Sequence, residues 1–351
     1  MILKDLKVID ASSVLAGPSV GSYFAELGAK VTKIEHPKHA DVTRSWKLPS
    51  EDAKSSVSAY FSSINYKKEY LKLDLRKKTD HTQFLELVKD ADILITNFKY
   101  GDDIKLNILD KTLHAINPSL IIGKINGYGD QNDRVAYDLI LQAETGFMSM
   151  NGTPESGPVK MPVAMIDILA AHHLKEALLI GLLERYKTGK GTSVSVSLYD
   201  AALSSLANQG SNYLMEGHIP QRIGSLHPNI APYGELFKTH DDTLITFAIG
   251  SDIHFSKLCS VLNITELPSD IRFQHNQERV KNRTILQQLL QDQIITRTSS
   301  YILDNLQILH VPAGKVKGLE EVFKTPEAQG LVRKEIIDGI ETSRVTSVVF
   351  K

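Results

Sequence analysis

The stretch Leu6–Pro37, "LKVIDASSVLAGPSVGSYFAELGAKVTKIEHP", determines the predicted fold. Leu6–Ser13 is a short apolar run that ends in small polar residues, which is typical of a buried strand. A helical pattern follows from Gly17 and ends at Gly28, and Lys30–Pro37 then has the pattern of a second strand. A strand, a helix and another strand at this spacing indicate a βαβ unit, in which the two strands run parallel.

The same alternation continues through the first half of the chain. Further strands are predicted at Tyr70–Leu75, Ala91–Phe98, Leu120–Gly129 and Thr192–Asp200. Helices are predicted between them at His81–Val88, Asp110–Asn117, Tyr137–Met150 and Ile168–Lys187. The pattern predicts an α/β fold with a doubly wound, mainly parallel, Rossmann-like sheet.

After about residue 220 the pattern changes to a hairpin around Asp241–Asp242, followed by helices at Asp252–Leu262, Glu278–Ile295 and Ser300–Leu309. This indicates a second, smaller α+β domain. We therefore expect a large domain at 1–200, a linker helix at 201–220 and a small domain at 221–325. The segment 326–351, with the strand-like "SRVTSVVFK", is expected to return to the large domain.

Composition excludes several classes of protein. Forty Lys plus Arg residues against 41 Asp plus Glu residues leave no basic excess, so we expect no nucleic-acid partner. No apolar run approaches the ~20 residues of a membrane helix, and the N-terminus lacks a signal-peptide pattern, so a cytoplasmic protein is expected. The one cysteine, Cys259, lies on an apolar helical face, where inert packing is expected.

Common ligand motifs are absent. The first turn has Gly17 and Gly21 but not the pattern GxGxxG, so Glu35 does not indicate a dinucleotide site. The histidines lack metal-ligand spacing, since His172 and His173 are adjacent and HExxH does not occur. We therefore predict no metal site. GxSxG is also absent, which argues against a serine hydrolase of the α/β type.

Several basic or polar residues lie near the predicted strand ends: Arg44, Lys68, Asn97 and Lys105. In an open α/β sheet, ligands bind outside the carboxyl ends of the strands. Cations gathered there would suit a polyanionic nucleotide, because phosphate forms charge-assisted hydrogen bonds with Lys and Arg. Each of them alone is equally compatible with a solvated surface charge.

Asp167 stands alone in the otherwise apolar stretch "PVAMIDILAAHH". The leucines after it, with Leu183 and Tyr186, recur at helical spacing and predict a core helix. An aspartate at the start of such a helix can be its N-cap, which is worth about 1 kcal/mol. It can equally be a reactive group beside helix-terminal N–H groups. These patterns leave both interpretations open.

Ordered motifs along the chain resemble one family, the class III CoA-transferases of the CaiB/BaiF type, which include formyl-CoA transferase, carnitine CoA-transferase and the α-methylacyl-CoA racemases. The opening stretch has the family's form "LAGP"–helix–"LGA-V-KIE-P", and "ADVTR", "NYKKEYLKLDL", "ITNFKYG" and "NGYG" follow in order. "YDLILQAETGFMSMNG", "RIGSLHPNIAPYGELFKTHDD", "RFQHNQERVKNR" and "VPAGKVKGLEEVF" continue the similarity to about residue 330.

The resemblance implies an interlocked homodimer with Asp167 as nucleophile. In the transferases this aspartate attacks an acyl-CoA thioester, and CoA then passes through an aspartyl-CoA thioester to an incoming carboxylic acid. Acyl-CoA is thus implied as a substrate, and no permanently bound cofactor is implied. The residues that match CoA contacts of the family are Val14, Ala16, Lys68, Asn97, Phe98 and Lys105, with Arg44 as a further candidate.

Tyr137 separates two branches of the family. The racemases have a histidine at this position, whereas a phenol has an unperturbed pKa of about 10 and is a poor base at neutral pH. Tyr137 therefore favours transfer over the alternative, a 2-methylacyl-CoA racemase-like isomerase. A third alternative is a CoA-binding protein without turnover, because the chain has Leu15 where some transferases have glutamine and lacks the glycine-rich loop of formyl-CoA transferase.

Overall fold

The structure is a computed structural model, and it describes residues 3–350. Its strands are β1 Lys7–Ala11, β2 Lys30–Glu35, β3 Lys68–Lys72, β4 Ile93–Thr96, β5 Ile121–Asn126, β6 Ser193–Ser197, β7 Tyr233–Lys238, β8 Leu244–Ala248, β9 Ala313–Lys315, β10 Val332–Ile337 and β11 Ile340–Val345. Its helices are α1 Ala16–Glu26, α2 Ala59–Ser63, α3 Lys78–Asp90, α4 Asp102–Lys105, α5 Asp110–Ile116, α6 Asp138–Glu144, α7 Phe147–Met150, α8 Met165–Thr188, α9 Leu198–Ser204, α10 Ala207–Glu216, α11 Asp252–Leu262, α12 Asn276–Lys281, α13 Arg283–Ile294, α14 Ser299–Ile308, α15 Leu319–Val322 and α16 Pro326–Gly330, with 3₁₀ turns at Val42–Ser45 and Leu267–Ser269.

The chain divides into two compact units. One comprises residues 1–150, 159–220 and 329–351, and the other comprises residues 151–158 and 221–328. The sequence pattern alone does not separate the short segment 151–158 from the first unit, because it contains no helix or strand signal of its own.

The first unit contains a six-stranded sheet in the order β3-β2-β1-β4-β5-β6, and every neighbouring pair is parallel. The order reverses between β1 and β4, where doubly wound sheets open a crevice at the carboxyl ends of the strands. The predicted α/β class with a mainly parallel sheet is confirmed.

Both faces of this sheet are buried. On β1, Val8 packs into one apolar core and Ile9 into another, and on β4, Ile93 and Ile95 join the first core while Leu94 joins the second. Side chains alternate between the faces of a strand, so two covered faces require continuous apolar runs such as these. Helices α1, α8 and α9 contribute to the first core, and α3 and α5 contribute to the second.

The long helix α8 differs in part from the expected core helix. Leu174 and Leu178 are fully buried, but Leu183 is 63% exposed and Tyr186 is 91% exposed. The helix packs along β5 and α1 with one face, and Ile180, Leu183 and Tyr186 in its C-terminal half are mostly exposed.

One more expectation, on an element boundary, is wrong. The helix predicted at Tyr137–Met150 is broken into α6 and α7 at Gly146, which has a φ of 91° that suits glycine. The C-terminal segment 326–351, expected to return to the large domain, contains an antiparallel hairpin of β10 with β11. This hairpin belongs to the first unit, and Thr346, Ser347 and Val348 after it donate hydrogen bonds to the carboxylate of Glu26 on α1.

The second unit has its own antiparallel sheet, in the order β7-β8-β9, and its own apolar core. Cys259 lies fully buried in that core, and burial raises the pKa of its thiol to about 12. The expected inert packing of this cysteine agrees with its environment, because the thiolate is the reactive form.

Candidate active site

A cleft opens at the carboxyl ends of β1, β4 and β5, at the point where the strand order reverses. It encloses about 860 Å³, part of it open to solvent. The residues that line it are Ser13, Val14, Leu15, Ala16, Asn97, Phe98, Lys99, Tyr100, Ile125, Asn126, Gly127, Asn132, Asp133, Arg134, Val135, Ala136, Tyr137, Asp167 and Leu198. Six of the residues predicted from the sequence therefore meet in one place, namely Val14, Ala16, Asn97, Phe98, Tyr137 and Asp167.

The turn after β1 is held in an unusual conformation. Val14 has a φ of 72°, which is rare for a β-branched residue and costs of the order of 1–3 kcal/mol. Asn97 fixes the preceding residue, since its amide donates to the carbonyl of Ser13 (2.8 Å) and its Oδ1 accepts from the Ser13 N–H (3.0 Å). The carboxylate of Asp41 accepts from the Val14 N–H at 3.3 Å. The backbone that faces the cleft is therefore set by side chains from two other segments.

Helix α1 begins directly after this turn. It has no side-chain cap at Leu15, and its first turn lines the cleft. A Cβ atom on Gly17 would lie 2.3 Å from Oγ of Ser12, so the close approach of helix and turn requires glycine there. The uncapped N–H groups of a helix start carry partial positive charge, which favours an anion or a developing oxyanion nearby.

Lys68 lies beneath this turn and not in the cleft. Its side chain is fully buried, and its ammonium group contacts Oδ2 of Asp10 (2.8 Å), Oδ1 of Asn65 (2.9 Å) and the carbonyls of Pro18 (2.7 Å) and Ile64 (2.9 Å). With four acceptors around it, this group has no free donor for a ligand. The expectation that Lys68 contacts CoA is wrong in this structure, because β3 directs the side chain under α1.

Lys33 completes the buried charge cluster. Its ammonium group lies 3.2 Å from Oδ2 of Asp41 and 3.9 Å from Oδ2 of Asp10, and it donates to the carbonyl of Ser12 at 2.8 Å. Burial alone would raise the pKa of Asp10, but the charges of Lys33 and Lys68 lower it to about 2. The carboxylate of Asp10 therefore stays ionised, and the cluster fixes the base of the turn after β1.

Arg44 is also paired with carboxylates of the protein and does not line the cleft. It makes a bidentate pair with Glu35 (3.0 and 2.8 Å), contacts Asp338 at 2.9 Å and lies 3.8 Å from the ring centre of Phe61. Its role is to join the C-terminal hairpin to β2, which corrects the expectation of a ligand contact. Lys105 is 74% exposed and pairs with Asp102 on its own helix at 2.9 Å, outside the set of cleft-lining residues.

Asp167 is the third residue of α8, and so it is not the helix cap. The cap position is Ala164, which offers no side-chain hydrogen bond. Only 7% of Asp167 is exposed. Burial raises the pKa of its carboxyl group to about 7, with a further contribution from the negative charge of Asp138. The interpretation of Asp167 as a cap is therefore wrong, and what remains is a buried carboxyl group that titrates near neutrality.

Two tyrosines accompany this carboxyl group. Tyr137 is 48% exposed, lines the cleft and precedes α6. Tyr60 on α2 was not predicted from the sequence. Burial raises its pKa to about 12, with added effects from the charges of Asp167, Asp138 and Asp41, and its ring packs edge-on against Trp46 at 5.1 Å. No spacing in the sequence marks Tyr60, because the five-residue helix α2 is too short to show an apolar periodicity.

Neither a metal cluster nor a membrane helix is found between residues 3 and 350. No group of three or more His, Cys, Asp or Glu side chains in that range is arranged to hold a metal ion. None of the described helices combines the length and the apolar character needed to cross a bilayer.

Comparisons with known proteins identify the family. The sequence model of CoA-transferase family III matches residues 3–347. The chain is 34% identical to the succinate–glutarate CoA-transferase of Agrobacterium fabrum, over 93% of this chain and 83% of the relative. It is 32% identical to the acetyl-CoA:oxalate CoA-transferase of Acetobacter aceti, over 92% and 82% respectively.

A solved structure gives the same result. The crystal structure of a CaiB/BaiF family protein from Brucella suis superposes with a TM-score of 0.84 and 35% identity, and it covers 99% of this chain and 91% of that one. The resemblance inferred from the sequence motifs is confirmed: the chain belongs to CoA-transferase family III.

Proposed function

We propose that this enzyme moves CoA from an acyl-CoA thioester to a carboxylic acid, with Asp167 as the covalent nucleophile. The observation that carries the proposal is the buried Asp167 carboxyl group, which lies in the cleft at the reversal of strand order and titrates near neutrality. Groups with strongly perturbed pKa values in a cleft are candidates for chemistry.

The proposed sequence has four steps. A carboxylate oxygen of Asp167 attacks the thioester carbonyl carbon, the C–S bond breaks, and a mixed anhydride and CoA thiolate form. The thiolate attacks the aspartyl carbonyl carbon, which releases the donor carboxylate and leaves an aspartyl-CoA thioester. The acceptor carboxylate attacks that thioester to give a second anhydride and CoA thiolate. The thiolate then attacks the acceptor carbonyl, which yields the new acyl-CoA and restores Asp167.

Burial of Asp167 supports this chemistry. The pKa of about 7 means that the ionised form is disfavoured in this site by roughly 4 kcal/mol relative to a solvated carboxylate. The anhydride and the thioester are uncharged at Asp167. Their formation therefore relieves the unfavourable burial of charge, which lowers their free energy relative to the resting ionised enzyme.

The turn around Val14 and Ala16, together with Asn97 and Phe98, forms the proposed contact surface for CoA. These residues lie in the cleft with Asp167, and the uncapped start of α1 can stabilise negative charge at the reacting carbonyl. Lys105 is an exposed cation on α4, beyond the lining residues. It remains a proposed partner for a CoA phosphate.

For substrates, we propose short dicarboxylic acids and their CoA thioesters. Relatives that align over most of this chain are named for the pairs succinate–glutarate, acetyl-CoA:oxalate and succinyl-CoA:mesaconate. The first panel to assay has succinyl-CoA and acetyl-CoA as donors. Each donor is tested separately with glutarate, oxalate and mesaconate as acceptors.

A trapping experiment tests the proposal. Enzyme mixed with donor acyl-CoA and quenched with hydroxylamine should carry a hydroxamate on the peptide that contains Asp167, read by mass spectrometry. Exchange of the α-hydrogen with D₂O, without transfer, would instead indicate the racemase-like isomerase. Thermal stabilisation by CoA, with neither transfer nor modification across the panel, would indicate a CoA-binding protein without turnover.

The pH dependence of the reaction should report the state of Asp167. The nucleophile is the ionised form, and its pKa is raised to about 7 by burial and by Asp138. Below that pH, kcat/KM should fall by about tenfold per pH unit, whereas an unperturbed aspartate would show no fall until about pH 4. The measurement is kcat/KM for the donor between about pH 5 and 9. A flat profile down to pH 5 would contradict the assignment.

We also propose that two copies of the chain form the interlocked homodimer that the family resemblance implies. Large apolar side chains are exposed along the second half of α8 and on α10, including Leu183, Tyr186, Leu214 and Met215. Monomers rarely leave so many large apolar groups in water, and a second copy would bury them.

Charge on that surface should disrupt the assembly. Tyr186→Glu would place a carboxylate in an apolar interface, so we expect a shift from dimer toward monomer or aggregate in analytical ultracentrifugation. Ile253→Glu, which charges a 69% exposed position in the second unit, is the matched control and should leave the mass unchanged. A monomeric unmodified protein at micromolar concentration would refute the homodimer.

A further inference from the structure

Helix α8 begins without a cap of its own. Ala164 stands at the cap position and makes no side-chain hydrogen bond. The carboxylate of Asp138 supplies the missing cap hydrogen bond, since its Oδ1 accepts from the N–H of Ile166 at 2.7 Å. Asp138 is the first residue of α6, so the cap of α8 comes from 28 positions upstream. The Ile166 N–H immediately precedes Asp167.

The other oxygen of Asp138 is bound as well. Its Oδ2 accepts from Nε2 of Gln142 at 2.6 Å, and Oε1 of Gln142 accepts from the N–H of Met161 at 2.8 Å. Both side chains are buried. The two residues thus hold the segment before α8 at Met161 and the first turn of α8 at Ile166. All donors in this chain of hydrogen bonds are neutral amides, and no ion pair to Asp138 is found among the residues that the structure describes.

We infer that Asp138 is a positioning residue for Asp167: through the Ile166 N–H it fixes the helical turn that presents the nucleophile, and it keeps one uncompensated negative charge beside it. The inference rests on the proposed role of Asp167 and adds a residue to it. Asp138 does not line the cleft, and so it acts through Asp167 and not on the substrate.

The surroundings of Asp167 make Asp138 the source of this effect. The other ionisable side chains on the elements that pack on α8 are Tyr23 and Glu26 on α1, Lys124 on β5, Glu144 on α6, and Tyr199 and Asp200 on α9. Helix α8 itself carries His172, His173, Lys175, Glu176, Glu184, Arg185, Tyr186 and Lys187, and the nearby tyrosines Tyr60 and Tyr137 lie on α2 and directly before α6. Of all charged groups among the described residues, only Asp138 adds to the effect of burial on the Asp167 pKa. A negative charge at this position favours the uncharged forms of Asp167, which include the anhydride and the thioester.

Asp138→Asn tests the inference on the free protein, without any need for turnover. A small diazo compound esterifies only a protonated carboxyl group, with loss of N₂, so labelling of the Asp167 peptide against pH reports the midpoint of its titration. We expect the midpoint near pH 7 in the unmodified protein to move down by at least about one unit in Asp138→Asn. The acid limb of kcat/KM should move by the same amount.

Two further variants make the result decisive. Asp200→Asn removes an exposed carboxylate from α9, which also packs on α8, and should leave the midpoint unchanged. If Asp138→Asn does not fold, Asp138→Asn combined with Gln142→Glu restores every hydrogen bond, because the carboxylate introduced on α6 would accept from both the new amide and the Met161 N–H. The charge then lies one hydrogen bond further from Ile166, and the midpoint should still be lowered.

An unmoved midpoint in folded Asp138→Asn, or in the folded double variant Asp138→Asn with Gln142→Glu, would overturn the inference. The outcome is separable from that of the proposed function. Failure of CoA transfer in the unmodified protein would leave the titration of Asp167 measurable. An unmoved midpoint together with normal transfer would reject only the proposed role of Asp138.

Discussion

Replacing Asp167 by asparagine is expected to lower the rate of CoA transfer by at least about 10³-fold, because an amide cannot form the anhydride. Asparagine has nearly the same shape, and the cap of α8 is supplied by Asp138, so the helix start should persist. Steady-state rates with succinyl-CoA and glutarate, together with intact-mass analysis after donor addition, measure the effect. The acyl or CoA adduct should be absent in the variant.

The control for this variant is Asp200→Asn, which should transfer CoA at the normal rate and form the adduct. Retention of more than about a tenth of the activity in Asp167→Asn would show that another group is the nucleophile. The affinity for CoA itself should change little, because the proposed contacts at Val14, Ala16, Asn97 and Phe98 are untouched.

The same substitution should make the protein more stable above pH 7. The folded-state pKa of Asp167 lies above the value of an unfolded aspartate, so the folded state binds the extra proton between about pH 4 and 7. The ionised carboxylate consequently opposes folding with increasing effect as pH rises through that window, by up to roughly 4 kcal/mol above it. Asparagine removes this cost. Denaturant unfolding of both proteins at about pH 8 and at about pH 4 measures this effect. The free energy of unfolding of Asp167→Asn should exceed that of the unmodified protein only at the higher pH.

Replacing Lys68 by methionine is expected to lower the free energy of unfolding by about 3–5 kcal/mol. Removal of the buried ammonium leaves the carboxylate of Asp10, the carbonyls of Pro18 and Ile64 and the amide of Asn65 without their shared donor. Methionine keeps most of the volume, so the loss reports charge and hydrogen bonding and not a cavity. Chemical denaturation followed by circular dichroism measures it.

Lys105→Met is the matched control, because Lys105 is 74% exposed and pairs with Asp102 on its own helix. The free energy of unfolding of this variant should change by less than about 1 kcal/mol. The two variants also separate the roles inferred for these lysines. A raised KM for acyl-CoA without loss of stability in Lys68→Met would favour a direct CoA contact and contradict the buried arrangement.

The sheet could be predicted from the sequence because its signal is local. Val8 and Ile9 are consecutive apolar residues that serve opposite faces, and Ile93, Leu94 and Ile95 repeat the arrangement on β4. A continuous apolar run between turns is what a strand covered on both faces requires. Boundaries are harder to predict where one residue decides them, as at Gly146 between α6 and α7.

The roles of the cations could not be predicted in this way. Lys68 and Arg44 lie near strand ends, as ligand-binding residues do, but their partners Asp10 and Asp338 are 58 and 294 positions away. A sequence pattern does not show whether a charge points into a cleft or under a helix. The cap of α8 was missed for the same reason, because Asp138 is far from Ala164 in the sequence and close only in the folded chain.

The position of the C-terminal hairpin has a consequence for biosynthesis. The first unit is discontinuous, and its last segment supplies Arg344 for Glu26 and Asp338 for Arg44. During translation, the second unit at 221–328 is complete before those partners emerge from the ribosome. The ion pairs of Glu26 and Arg44 with this segment can therefore form only after the second unit has been synthesised, so the unit whose synthesis begins first acquires these contacts late.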